Sequence, residues 1–419
     1  MNGIRRAAIY TVLALCATSV SMAFAEKSQY AGTNLNFVVV SDQFSAALEA
    51  LAPVFQEQTG INLRVTVLGY GELYQRAIAD FIGHTAQADL YSTDIVWSCQ
   101  FAESGYLTDL ASLIKRDEAE LDLDDIPTVM WTTGSCGEQQ IAFPLVGYAG
   151  VLAYNKAAFD AAGIAVPKTV KELAAAAKAL TKDGKAGIVM NGQRGTPAAQ
   201  DWMFYMLMNG GSILGPDGKP ALNSPANVET LELYADLFKY APAGAVSYAW
   251  GERVTSFSEG SSMMMVDWSA GLDYLRPGAV PVSGSAAITT TPVKEGLDPV
   301  YPFGGWGVGI NADSTSQGAA WEFIKWLSSP EVQKQYVELG GKPIRHSTLT
   351  DPVLVAKYPY LSTILEVVEH GDGDFRPRIT QYSQIEDAVG LAVNLVITGQ
   401  ESAQKALDAA QATVAPLFQ

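Results

Sequence analysis

Between Asn36 and Val67 the hydropathy of the chain changes period twice, and this change sets the fold class. Asn36-Phe-Val-Val-Val40 is a short apolar run, after which Phe44, Ala47, Leu48, Leu51 and Phe55 recur at the spacing of one helix face. Past Thr59-Gly60, Leu63, Val65 and Val67 alternate with polar positions as a strand does. Strand, helix and strand joined so closely make a βαβ unit, which requires parallel strands and a right-handed crossover. A third strand is predicted near Asp89-Leu-Tyr91, just before Ser92-Thr-Asp94. The chain is therefore an α/β protein.

Further helices are signalled by their first turns. Thr169-Val-Lys-Glu172 has the capping-box spacing ahead of an Ala-rich helix to about Leu180. Asn223-Ser-Pro225 and Ser329-Pro330-Glu331 each open a helix, the first carrying Val228, Leu231, Leu233, Tyr234 and Leu237, the second Val332 and Tyr336. Near the end, Ile385, Val389, Ala392, Val393 and Val396 form an amphipathic stripe. The 419 residues suffice for more than one domain at roughly 150 residues each, yet no Pro/Gly/Ser-rich linker divides them. Two lobes would have to be joined by structured crossings. The acidic stretch Asp122-Leu-Asp-Asp125 reads as a solvated surface, and Asp372-Gly-Asp374 as a turn.

The 27 Lys and Arg face 44 Asp and Glu, for a net charge of −17, and no basic block occurs. That balance argues against nucleic acid or an anionic membrane surface as the main partner. Arg5 and Arg6 precede an apolar run, Ala7 to Val20, that ends in Ala23-Phe24-Ala25, the pattern of a secretory signal over residues 1–25. The mature chain is expected to start at Glu26 and to be exported to the periplasm. Leu15 precedes Cys16 where a lipoprotein signal has a small residue, which speaks against lipid anchoring. Beyond the leader only Cys99 and Cys136 remain, an even number in an oxidising compartment, which favours one disulfide over two buried thiols.

Catalytic signatures are scarce. There is no HExxH, GxSxG, GxxxxGK[ST] or CxxC string, and Gly305-Trp-Gly307-Val-Gly309 lacks the final glycine spacing of a dinucleotide turn and reads as strand. Neither cofactor nor metal is expected. A glycosidase needs only two carboxylates, so an exported carbohydrate-active enzyme is not removed by motif. What does recur is an aromatic ring beside a polar or flexible residue where strands end: Asp94 with Trp97, Asp267 with Trp268, and Gly305 with Trp306, while Arg345 follows a Gly-Gly-Lys-Pro-Ile loop. Rings offer an apolar face to sugar C–H groups while carboxylates, amides and guanidinium satisfy hydroxyls, a mixture suited to a neutral polyhydroxylated ligand.

Several strings, in order, carry a resemblance to a known family. They are Phe55-Gln-Glu-Gln-Thr-Gly-Ile61, Asp89-Leu-Tyr-Ser-Thr-Asp94-Ile-Val-Trp97, Phe101-Ala-Glu-Ser-Gly-Tyr-Leu107 and Phe143-Pro-Leu-Val-Gly-Tyr148 through Lys156. Ser262-Met-Met-Met-Val-Asp267-Trp268, Gly304-Gly-Trp306-Gly-Val-Gly-Ile-Asn311, Lys342-Pro-Ile-Arg345-His-Ser347, Arg376-Pro-Arg378-Ile and Gly399 to Leu407 complete the set. Over essentially the whole mature chain the sequence resembles the family 1 extracellular solute-binding proteins, which deliver sugars and polyols to ATP-binding-cassette importers. The resemblance implies two α/β lobes, each a mainly parallel sheet flanked by helices, with hinge crossings at Pro144 to Asn155 and Phe303 to Asn311. Lobe one would comprise residues 30–145 plus 311–345, and lobe two 146–310 plus 346–419. It implies ligand capture by hinge closure, a membrane permease as partner, a monomer, and no catalysis. Carried over position by position, Gln43, Phe44, Asp94 and Trp97 would wall the first lobe. Tyr148, Gly305 and Trp306 would sit at the crossings, and Trp202, Trp250, Asp267 and Trp268 in the second lobe. Arg345 and Arg378 match the family's basic positions, where a guanidinium spans adjacent hydroxyls. The same arginines would suit an anionic sugar derivative, and aspartates with aromatic walls would suit a polyamine. The cysteine pair is not part of the family pattern.

Overall fold

The computed structural model describes residues 27–276 and 278–418; the leader expected at 1–25 and its expected cleavage point lie outside them. The predicted βαβ unit is present. Strand β1 (Asn34–Val40) pairs in parallel with β2 (Asn62–Leu68), in register from Asn34 opposite Asn62 to Val40 opposite Leu68. Helix α1 (Gln43–Thr59) between them starts at Asp42, whose carboxylate accepts from the Gln43 N–H at 2.5 Å, and stops at Gly60. Gly60 has φ 77°, the left-handed region that glycine enters at little cost, and its N–H closes the helix on the Gln56 carbonyl. Helix α2 (Tyr70–Gly83) leads to β3 (Leu90–Asp94), which lies parallel to β1 on its other side.

Two long strands carry the chain between lobes. Phe143–Asn155 and Tyr301–Ile310 pair antiparallel with each other, from Phe143 opposite Val308 to Ala149 opposite Phe303. The end of Tyr301–Ile310 joins the first lobe's sheet, Asp94 lying opposite Trp306. The end of Phe143–Asn155 joins the second lobe's strands Met264–Trp268 and Ala286–Thr290, antiparallel to both, so the mainly parallel sheet expected of each lobe holds for β1, β2 and β3 but not for these strands. Where the two crossings meet, side chains leave no room. A Cβ on Gly305 would stand 2.3 Å from the Val146 carbonyl oxygen, and one on Gly304 would stand 2.8 Å from the Trp268 ring, so glycine is required at both.

Helix Gln317–Ser328 returns to the first lobe and packs Phe323 on Phe37 and Phe55, with ring centroids 5.7 and 5.2 Å apart. The second lobe is built on Thr196–Met208, Pro225–Leu237, Tyr382–Ile397 and Ala403–Val414. The Thr169–Glu172 box closes reciprocally at the head of Val170–Leu180, the Thr169 hydroxyl accepting from the Glu172 N–H at 3.2 Å and Glu172 accepting from the Thr169 N–H at 3.0 Å. The Asp122–Asp125 stretch departs from its reading as mere solvated surface. Asp125 accepts from the Ser347 N–H and hydroxyl at 2.7 and 2.6 Å and faces Arg345 at 3.2 Å, which fastens this loop to the segment returning after Gly340.

Candidate ligand-binding cleft

In open α/β sheets the crevice outside the carboxyl ends of the strands is the natural ligand position. Here β1 ends into Ser41-Asp42, β2 into Tyr70, and β3 at Asp94, and all four residues line one cavity of about 250 Å³. The opposite wall comes from the second lobe: Trp250 at the first turn of its helix, Asp267 and Trp268 at the end of their strand, and Gln200. The crossings supply Tyr148, Gly305 and Trp306, and Arg376 closes the ring.

Each carboxylate is held by a donor. Asp94 accepts from the Tyr70 hydroxyl at 2.9 Å and faces the Arg376 guanidinium at 3.8 Å. Asp42 accepts from the Tyr148 hydroxyl at 2.7 Å, with the buried Lys342 ammonium nearby. Asp267 takes one prong of Arg253, whose other prong is on Asp201, and Arg253 is fully buried. Asp267 also accepts the Trp268 N–H at 2.7 Å through the same oxygen, Oδ1, and no protein donor among the described residues reaches Oδ2. Burial raises the carboxyl pKa of Asp42, Asp94 and Asp267 against these partners, Asp267 to about 6. It lowers Lys342 to about 8. Arg376 lies over the Trp268 ring, 5.1 Å from its centroid, so that ring is fixed from behind by a cation.

Seven of the residues singled out in the sequence meet around this cavity: Asp94, Tyr148, Trp250, Asp267, Trp268, Gly305 and Trp306. Six do not line it. Gln43 is the first residue of α1 and turns its amide oxygen toward Lys342, at 3.4 Å. Phe44 is buried behind Trp306, ring centroids 6.5 Å apart. Trp97 stands behind Tyr70 and Trp306, 5.1 and 5.5 Å between centroids, and lines a neighbouring cavity. Trp202 is wholly buried in Thr196–Met208, a helix apolar on nearly every side and hence core. Arg345, expected in the cleft, is instead spent on structure. Its guanidinium donates to the Ser328 carbonyl that ends a helix, to the Leu121 and Asp122 carbonyls at 2.6 and 3.2 Å, and to Asp125. Arg378 pairs with Asp374 at 2.7 Å and donates to the Ser135 hydroxyl at 2.7 Å, holding the hairpin beside the disulfide.

The sequence reading passed over Asp42, Tyr70, Gln200 and Arg376. Two signals were available. Asp42 and Tyr70 each come two residues after a strand, close to a strand end as Asp94 is at the end of β3, and Arg376 stands two residues before Arg378 across a proline. Cys99 and Cys136 are bridged, their Cα atoms 5.0 Å apart, joining helix α3 (Ser98–Glu103) to the hairpin at 135–140. Among the described residues no helix is long and apolar enough to cross a membrane.

Two α/β lobes, two buried crossings and a polar, ring-lined cavity between the lobes define a solute-binding protein. The chain belongs to the bacterial extracellular solute-binding proteins, whose family model matches residues 41–334. A solute-binding protein of Agrobacterium radiobacter solved in complex with ribitol superimposes with a TM-score of 0.88 at 46% identity, covering 93% of this chain and 99% of that one. A probable amino-acid ABC transporter periplasmic-binding protein of Sinorhizobium fredii is 30% identical over 373 residues, 85% of this chain and 84% of the relative. The mannitol-binding protein of Pseudomonas aeruginosa is 25% identical over 96% of each chain.

Proposed function

We propose that this protein captures a small neutral polyol or monosaccharide in the interlobe cavity and delivers it to an ATP-binding-cassette permease, without altering it chemically. The observation that carries the reading is the lining itself. Tryptophans 250, 268 and 306 offer apolar faces, and Asp42, Asp94, Asp267, Gln200 and Arg376 supply acceptors and donors on every side. Two of the lining carboxylates are already ion-paired, Asp94 with Arg376 and Asp267 with Arg253, and the Lys342 ammonium lies near the third, Asp42. A charged ligand would therefore have to displace a partner, whereas hydroxyls add hydrogen bonds to groups already ion-paired. The ribitol complex of the relative at 46% identity and the mannitol-binding relative support a short polyol. The two arginines on which an anionic sugar derivative would have depended, Arg345 and Arg378, are engaged elsewhere.

Closure about the two crossings would bury the ligand and form the surface the permease reads. We read residues 1–25 as a leader cleaved after Ala25, which would put the mature chain in the periplasm. The test is a thermal-shift screen with pentitols, hexitols, hexoses, disaccharides, amino acids, polyamines and glycerol phosphate, with calorimetry and product analysis on each hit. A polyol or monosaccharide raises the melting point, by about 2.7 kcal/mol of stability at a hundredfold excess over Kd, and is recovered unchanged. A response only to amino acids or polyamines overturns the ligand class, and conversion of the hit overturns the carrier.

A further inference from the structure

The interlobe cleft holds two chambers. Beside the cavity described above lies a second, also about 250 Å³, lined by Tyr74, Trp97 and Gln100 from the first lobe and by Thr196, Tyr382 and Glu386 from the second. Its chemistry repeats that of the first: aromatic walls with an amide and a carboxylate between them. Glu386 accepts from Thr196, Tyr382 and Gln200 at 3.0, 3.0 and 3.2 Å, and Gln200 itself lines the first chamber. Gln100 receives the Tyr74 hydroxyl on its carbonyl at 2.9 Å, and its amide N–H groups have no acceptor among the described residues.

The residue common to both linings is Tyr70. Its ring packs among Trp97, Trp306 and Trp250, with centroids 5.1, 5.8 and 6.4 Å away. Its hydroxyl is tied to Asp94 at 2.9 Å, so the ring is held at its polar edge as well as by its aromatic neighbours. A ring held in this way is a wall.

We propose that Tyr70 sets ligand length: it confines the ligand to the first chamber, and without it the two chambers form one site for a polyol bearing a second sugar ring. This rests on the polyol reading and adds to it a specificity-determining residue. The alternative is that the second chamber is only a seam between lobes, with no affinity for ligand.

The experiment is calorimetry of the wild type, Tyr70→Leu and Tyr70→Ala with ribitol, mannitol and the disaccharide alditol maltitol. The wild type binds one of the two short alditols at least a hundredfold more tightly than maltitol. Replacing Tyr70 by Leu, which retains apolar contact with Trp97, raises maltitol affinity at least tenfold and weakens the short alditol. Adding Ser383→Phe, placed to fill the second chamber, cancels the gain. Equal wild-type affinity for maltitol and the short alditols overturns the proposal without any variant. A folded Tyr70 variant with unchanged length preference overturns it too, and if neither variant folds the wild-type ratio decides. A wild type that binds no alditol or sugar at all removes the polyol reading, and this inference with it.

Discussion

The two walls of the cleft hold their carboxylates by different means. On the first lobe, Asp42 and Asp94 stand directly at strand ends, next to the turns that begin α1 and a short helical turn, and tyrosine hydroxyls complete their shells. On the second lobe, Asp267 is held by Arg253, which lies 14 residues earlier and is shared with Asp201. One wall is set by local chain geometry and the other by a buried ion triad. Local geometry places a carboxylate wherever the strand ends, while a triad places it only if all three members are present.

Breaking the triad gives the largest expected effect. Arg253→Met leaves Asp201 and Asp267 facing each other in the interior, which costs about 3–5 kcal/mol and shows as a lower calorimetric melting point together with loss of ligand response. A triple variant with Asp201→Asn, Arg253→Met and Asp267→Asn regains most of the stability but not the ligand, because Asp267 lines the cavity. If Arg253→Met alone melts like the wild type, the contrast between the walls is void.

The first wall has a covalent support instead. Replacing Cys99 and Cys136 together by serine releases a closure of 37 residues, worth about 4 kcal/mol in the chain-entropy account. Urea unfolding checks this, with an expected loss of about 2–4 kcal/mol. Ligand affinity falls less than with Arg253→Met, since the bridge lies behind Trp97 and not on the cavity.

The smallest effect sharpens the comparison through pH. Burial pushes Glu386 up to about 7 and Asp267 up to about 6, so the folded state keeps protons that the unfolded chain has released. Stability from these groups is complete below their ordinary carboxylate range and is lost as pH rises through 6 and 7. Lys342, pushed down to about 8, acts in the opposite sense above that pH. The melting temperature is therefore expected to fall by a few degrees from pH 5 to pH 7.5, with a minimum between 7 and 8. Glu386→Gln flattens the upper part of that fall, and an unchanged slope in this variant refutes the assignment.

The same division explains what was legible in the sequence. The β1–α1–β2 unit, the Gly60 stop and the Thr169–Glu172 box depend on neighbours within a few residues, so periodicity and spacing reached them. Asp94, Asp267 and Trp268 were reached because strand ends face the cleft. Arg345 and Arg376 could not be told apart that way, since what decides them is whether distant carbonyls claim the guanidinium. Leu121, Asp122 and Ser328 claim Arg345. Arg376 has Asp94 and the Trp268 ring, and so remains in the cavity. Trp202 misled for a related reason: a tryptophan in a helix gives no sign of which side faces the core when every side does.

The pairing of Phe37 and Phe55 with Phe323 has a consequence for the order of assembly. The first lobe's core joins residues from distant parts of the chain, with much of the second lobe, including Thr196–Met208 and Pro225–Leu237, encoded between them. As the polypeptide emerges from its N-terminus, β1, α1 and β2 can form early, but the hydrophobic face they share has nothing to close upon until Gln317–Ser328 arrives. The lobe begun first thus stays open while most of the other is made. The interval in between, during which an apolar surface stays open, is lengthened by the time needed to make the stretch of second lobe that separates them.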